Sequence, residues 1–71
     1  MKSTNIDGYQ VDYEGADENG ITQCYIQKGK HSASLEGLLM SGCISDSNWN
    51  DVPVAQSTIS KIEAWARNCG Y

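Results

Sequence analysis

The sequence predicts a small α+β domain in which an antiparallel β-hairpin or three-stranded meander packs against a C-terminal amphipathic helix, with a short middle helix between them. Three observations predict it. Val54 to Tyr71 repeats its apolar residues with the 3.6-residue period of a helix. Tyr9–Tyr13 and Ile21–Lys28 alternate with period two, the pattern of half-buried strands. The chain has 71 residues, enough for one domain spanning 1–71 and no more.

Residues 1–7 are polar apart from Met1 and Ile6 and read as a mobile start. In the first strand Tyr9, Val11 and Tyr13 alternate with Gln10, Asp12 and Glu14. Gly15 to Gly20 is a turn, and Asn19-Gly20 is a strong local turn signal. The second strand, Ile21–Lys28, is rich in Thr, Tyr and Ile. Its Cys24/Ile26 face is the better candidate for the core, which puts Tyr25 on the other side, although the period alone does not settle the choice. Lys28-Gly29-Lys30 turns the chain again, so that His31–Ala33 returns as a short third strand.

Ser34–Gly42 reads in two ways. As a helix from about Leu35 to Ser41, it has Ser34 as its cap, Glu36 in its first turn and Gly42 as its stop. As a strand, it leaves a gap at Gly37. The helical reading fits better, at a cost of about 1 kcal/mol for Gly37. Cys43 and Ile44 read as extended, and Ser45–Asp51 as a polar loop with Trp49 in its middle. Pro53 holds Val52 extended ahead of the last helix.

On that helix Ala55, Ile59, Ile62, Ala66 and Cys69 share one face, with Trp65 on its flank. Val54 and Ile59 have the spacing of a hydrophobic staple if Ala55 is the cap; Ser57 is the rival start. Glu63 and Arg67 form an i,i+4 pair, and Gly70 is a natural stop after which Tyr71 folds back on Ala66.

Composition narrows the functional classes. Ile, Leu and Val number only twelve and Phe is absent, so the core is thin. Two Trp and four Tyr add apolar area, and dimerisation is a further way to add burial. The net charge is −4, and the five basic residues (Lys2, Lys28, Lys30, Lys61, Arg67) form no stripe, which argues against direct nucleic-acid binding. No apolar run approaches a membrane span, and the first residues lack the apolar segment of an export signal, so the expected setting is cytoplasmic. The odd count of cysteines, Cys24, Cys43 and Cys69, fits buried thiols in a reducing compartment.

The candidate chemical constellations are weak. Asp46-x-Asn48-x-Asn50 copies the start of a calcium loop, then fails at Asp51 and Ser57, where Gly and Glu are needed. Cys24, His31, Cys43 and Cys69 match a zinc set by count but contain no closely spaced pair to seed one. His31 has no nucleophile elbow to serve. No catalytic, cofactor or metal residue is therefore expected, and a small metal-dependent or hydrolytic enzyme is the least favoured reading.

The remaining signal is surface chemistry. Trp49 sits in a polar loop, either as an interface anchor or folded back over the core. Tyr13 and Tyr25 are further candidate contacts. Asp12, Glu14, Asp17 and Glu18 cluster with Asp7, and no basic residue falls between Lys2 and Lys28. Such a lobe either engages a basic patch on a partner, imitating nucleic-acid phosphates, or simply keeps the protein soluble.

Lys28-Gly-Lys-His-Ser-Ala-Ser-Leu35 and Thr58-Ile-Ser-Lys-Ile-Glu-Ala-Trp-Ala66, with Gly70-Tyr71, resemble small uncharacterised proteins encoded in bacteriophage and prophage genomes. The resemblance covers roughly the last two-thirds of the chain. It implies a bacterial cytoplasmic setting and an accessory role acting on host proteins, and it assigns no residue a catalytic part. The expected function is thus non-enzymatic binding of another protein, with nucleic-acid mimicry as the alternative.

Overall fold

The computed structural model describes residues Met1–Tyr71. The chain folds into six strands and two helices: β1 Lys2–Ile6, β2 Tyr9–Ala16, β3 Thr22–Lys28, β4 His31–Ser34, α1 Leu35–Ser41, β5 Cys43–Ser45, β6 Asp51–Pro53 and α2 Gln56–Cys69. All six strands form one antiparallel meander in the order β1-β2-β3-β4-β5-β6. The α+β class, the C-terminal helix and the short middle helix are as the sequence predicts, but the sheet is wider.

The first addition is β1. Residues 2–6, read from composition as a mobile start, pair with β2 from Lys2↔Tyr13 to Ile6↔Tyr9. A two-residue turn causes this. Asp7 and Gly8 both take positive φ (53° and 88°), the type I′ geometry that matches the twist of a hairpin. The second addition is the β5–β6 hairpin, in which Cys43, Ile44 and Ser45 face Pro53, Val52 and Asp51.

Register decides which side chains are buried. Tyr9 and Val11 on β2, Cys24 and Ile26 on β3, and Ile44 on β5 all lie on the helix-covered face. Leu35 and Leu38 of α1, Val54, and Ile59, Ile62 and Ala66 of α2 close over them. At about 25 cal/mol per Å², each of these large aliphatic side chains contributes roughly 1.5–3 kcal/mol on burial. The other face of the sheet is polar: Asn5, Gln10, Gln27 and Ser32 lie side by side across four strands, and Ser3, Asp12, Tyr25 and Ser34 form the next row.

Helix ends follow local chemistry. The Ser34 hydroxyl accepts the Gly37 N–H at 3.1 Å, and Gly42 closes α1 in the left-handed region at φ 72°. Ala55 caps α2 without a side-chain bond, while Val54 and Ile59 are both buried as a staple requires. At the other end the Gly70 N–H reaches the Arg67 carbonyl and the Tyr71 N–H reaches Ala66, a Schellman stop.

Two details of the expected burial differ. Ala55 is exposed, and Cys43 and Cys69 are only half-buried, leaving Cys24 as the one fully buried thiol. Thr58 is buried, its hydroxyl satisfied by donating to Asp7 at 2.8 Å. No helix is long and apolar enough to cross a membrane.

Candidate partner-binding site

Trp49 stands at the tip of the β5–β6 hairpin, and the loop that presents it is built on one carboxylate. Asp46 Oδ1 accepts the backbone N–H of Asn48 and of Asn50, both at 2.9 Å. Asp46 Oδ2 accepts the Asn50 side-chain amide at 3.2 Å. The Trp49 N–H donates to the Asp46 carbonyl, and the Asp46 N–H to that of Asn50. Residues that resemble calcium ligands in the sequence therefore serve their own loop.

The β2–β3 hairpin contains the same device. Asp17 Oδ1 accepts the N–H of Asn19 and of Ile21 at 2.9 Å, the Gly20 N–H donates to the Asp17 carbonyl, and the Asp17 N–H to that of Ile21. The two loops share the pattern Asp-x-Asn-αL-x. In the first, the left-handed position is held by Gly20 at φ 80°; in the second it is held by Trp49 at φ 64°. A bulky residue with a Cβ is disfavoured there. The indole gains no burial in exchange, being 85% exposed. The reading in which Trp49 folds back over the core does not hold.

The base of the Trp49 loop is firmly anchored. Asp46 itself is buried, and Lys30 of the neighbouring β3–β4 turn and His31 at the start of β4 approach its Oδ2 at 3.8 and 4.0 Å. The Asn50 N–H, its side-chain amide, the Asn48 N–H and nearby Lys30 together hold the Asp46 carboxyl below the usual carboxylate range, against the opposing effect of burial. Asp17 is held low in the same way, chiefly by the Ile21 N–H, then by Asn19 and Gln23.

The other predicted site residues do not join Trp49. In a meander the β2–β3 loop and the β5–β6 loop lie at opposite ends of the strands, so Asp17 and Glu18 are a sheet's length from the indole. Tyr13 faces the helices, half-buried against the core, with its hydroxyl over Gly70. Tyr25 is 41% exposed on the uncovered face beside Asp12, its hydroxyl donating to Gln23 Oε1 at 2.6 Å.

The acidic hairpin is likewise partly committed. Asp12 accepts the Ser3 hydroxyl and the Gln10 amide. Asp7 takes Thr58 and Lys61 as partners, and these bonds lower its pKa, Thr58 contributing most. Glu14 and Glu18 are exposed. What the sequence reading missed is the pair of Asp-x-Asn turns, and the repeated spacing at 17–19 and 46–48 is the signal for it.

Two recesses indent the surface. One, of about 340 Å³, is lined by Asn5, Gly8, Gln10, Gln27, Lys28 and Gly29. The other, of about 200 Å³, lies between β3, the start of α1 and Tyr71. Comparison of the chain with protein-family models, curated proteins and solved structures finds no match to any of them.

Proposed function

We propose that this chain is a non-enzymatic accessory protein that binds another protein through Trp49. One observation carries the reading: an 85% exposed indole held at positive φ, in a loop whose counterpart uses glycine. Folding alone favours glycine at that position. A side chain kept there against backbone preference, and kept out of the core, is suited to insertion into a partner's pocket.

Tryptophan is the residue most suited to this role, because it brings a large rigid area with few rotatable bonds. The anchored base matters as well: with Asp46 fixing three loop amide groups, little ordering entropy remains to be lost on binding. The resemblance to phage and prophage proteins supports a bacterial host protein as the partner.

Affinity capture with three immobilised baits tests the proposal: the wild-type chain, Trp49→Gly, and a charge-neutralised variant with Asp12, Glu14, Asp17 and Glu18 changed to their amides. A partner held through the indole stays with the wild-type and neutralised baits, survives high salt and is lost from Trp49→Gly. A partner lost from the neutralised bait and released by moderate salt supports the acidic-mimic alternative and contradicts the proposal.

A further inference from the structure

The two edges of the sheet are built differently. The β6 edge has three residues, begins with Asp51 and ends with Pro53, which has no N–H to offer. Short length, charge and proline are the ordinary means by which an edge is blunted. The β1 edge has five residues, no proline and no bulge, and its only charge is Lys2 at one end.

Its hydrogen-bonding parity follows from the turn. A two-residue loop makes Ile6 and Tyr9 the hydrogen-bonded closing pair, so Ile6, Thr4 and Lys2 direct their main-chain groups at β2. The N–H and C=O of Ser3 and Asn5 therefore point out of the sheet. Both residues are exposed, and no turn, loop or cap bond engages their main-chain groups.

We infer that the β1 edge pairs with the β1 edge of a second copy of this chain, joining the two sheets about a two-fold axis at Thr4. Antiparallel pairing about Thr4 sets Ser3 against Asn5 of the second copy, and Asn5 against its Ser3. These are the residues whose main-chain groups are free, so each such pair closes both of its main-chain hydrogen bonds. Thr4 meets Thr4 as a non-hydrogen-bonded pair, an arrangement that threonines favour across strands. Lys2 falls opposite Ile6 of the second copy and one residue from its Asp7, the carboxylate that also holds Lys61, so the lone charge on the edge meets no like charge at that strand's end. This self-complementarity is what a two-fold interface requires, and it is why a second copy suits the edge better than an arbitrary strand.

A five-residue edge is smaller than a standard protein interface, so the association depends on concentration. Sedimentation velocity over a micromolar-to-millimolar series measures it. The mass of wild-type protein and of Ser3→Ala rises from 7.8 kDa toward twice that value. Ser3→Pro removes one outward N–H, leaves the main-chain bonds to β2 intact and stays at the monomer mass; Ser3→Ala controls for the hydroxyl bond to Asp12 that both variants lose. In parallel, amide hydrogen exchange of the wild-type chain shows Ser3 and Asn5 gaining protection as concentration rises; this readout needs no variant. A wild-type mass that stays at the monomer value throughout overturns the inference. So does association that Ser3→Pro leaves intact, or Ser3 and Asn5 amides that stay unprotected at the highest concentration.

Discussion

Replacing Trp49 with glycine is expected to make the protein more stable and functionally inert. The left-handed conformation costs an L-residue roughly 1–2 kcal/mol. Glycine escapes that cost but loses more backbone entropy on folding, about 0.5–1 kcal/mol. Loss of the side chain adds almost nothing, because an unfolded chain already buries roughly 10–40% of its reference area and the native indole is 85% exposed. The net gain is about 0.5–1 kcal/mol, or roughly 2–8 °C in Tm for a domain of this size.

Trp49→Ala separates backbone from side chain. It keeps the Cβ at φ 64° and should melt close to the wild type. The mirror experiment, Gly20→Ala in the counterpart loop, should lose about as much as Trp49→Gly gains over Trp49→Ala. Thermal melts of the wild type and the three variants, followed by circular dichroism, provide the assay. If Trp49→Gly is no more stable than Trp49→Ala, the positive-φ cost is absent and the argument from strain fails. If Trp49→Ala is destabilised by more than about 1 kcal/mol, the indole packs in solution and is not a free anchor.

Acid should expose the carboxylates that organise the turns. Asp7, Asp17 and Asp46 are all held below the usual carboxylate range, so the unfolded chain takes up their protons first as pH falls. Their stabilisation is complete above the unfolded value of about 3.9 and is lost as pH drops through the lower folded values. Asp46→Asn therefore melts lower at neutral pH and shows a shallower decline of Tm below about pH 4. Cys24, pushed up to about 11 first by burial and then by neighbouring Cys69 and Asp12, should be the last thiol labelled by an alkylating reagent at about pH 8. Gly70→Ala places a Cβ at φ 122° and 2.9 Å from the Tyr13 hydroxyl, so it should lose at least about 1 kcal/mol in a urea titration.

The helices are legible in the sequence because their ends carry local chemistry. Ser34 and Gly42 bound α1, and Gly70 with Tyr71 stops α2, all within one turn of the residues they serve. The Cys24/Ile26 face of β3, the better candidate in the sequence, is the buried one, but the period alone leaves the choice open and the packing of the helices makes it. The β1 strand escapes the sequence reading although its signal is present: Asp7-Gly8 between Ile6 and Tyr9 is a two-residue hairpin turn, outweighed by the polar composition around it.

Thr58 is not readable, because the group that satisfies its buried hydroxyl, Asp7, lies 51 residues away. The half-buried position of Tyr13 against the core is one that parity could give, since it shares the face of Tyr9 and Val11. The exposure of Trp49 is open in the sequence, because position in a polar loop does not say whether a side chain folds inward. The Asp46 network and the positive φ resolve it.

Fluorescence of Trp49 during binding tests the central claim most directly. In a Trp65→Phe background the indole of Trp49 is the only tryptophan emitting. The account predicts solvent-like emission that iodide quenches efficiently in the free protein, then a blue shift and protection from iodide when a captured partner is added. A partner that binds while the emission and its quenching stay unchanged would contradict it.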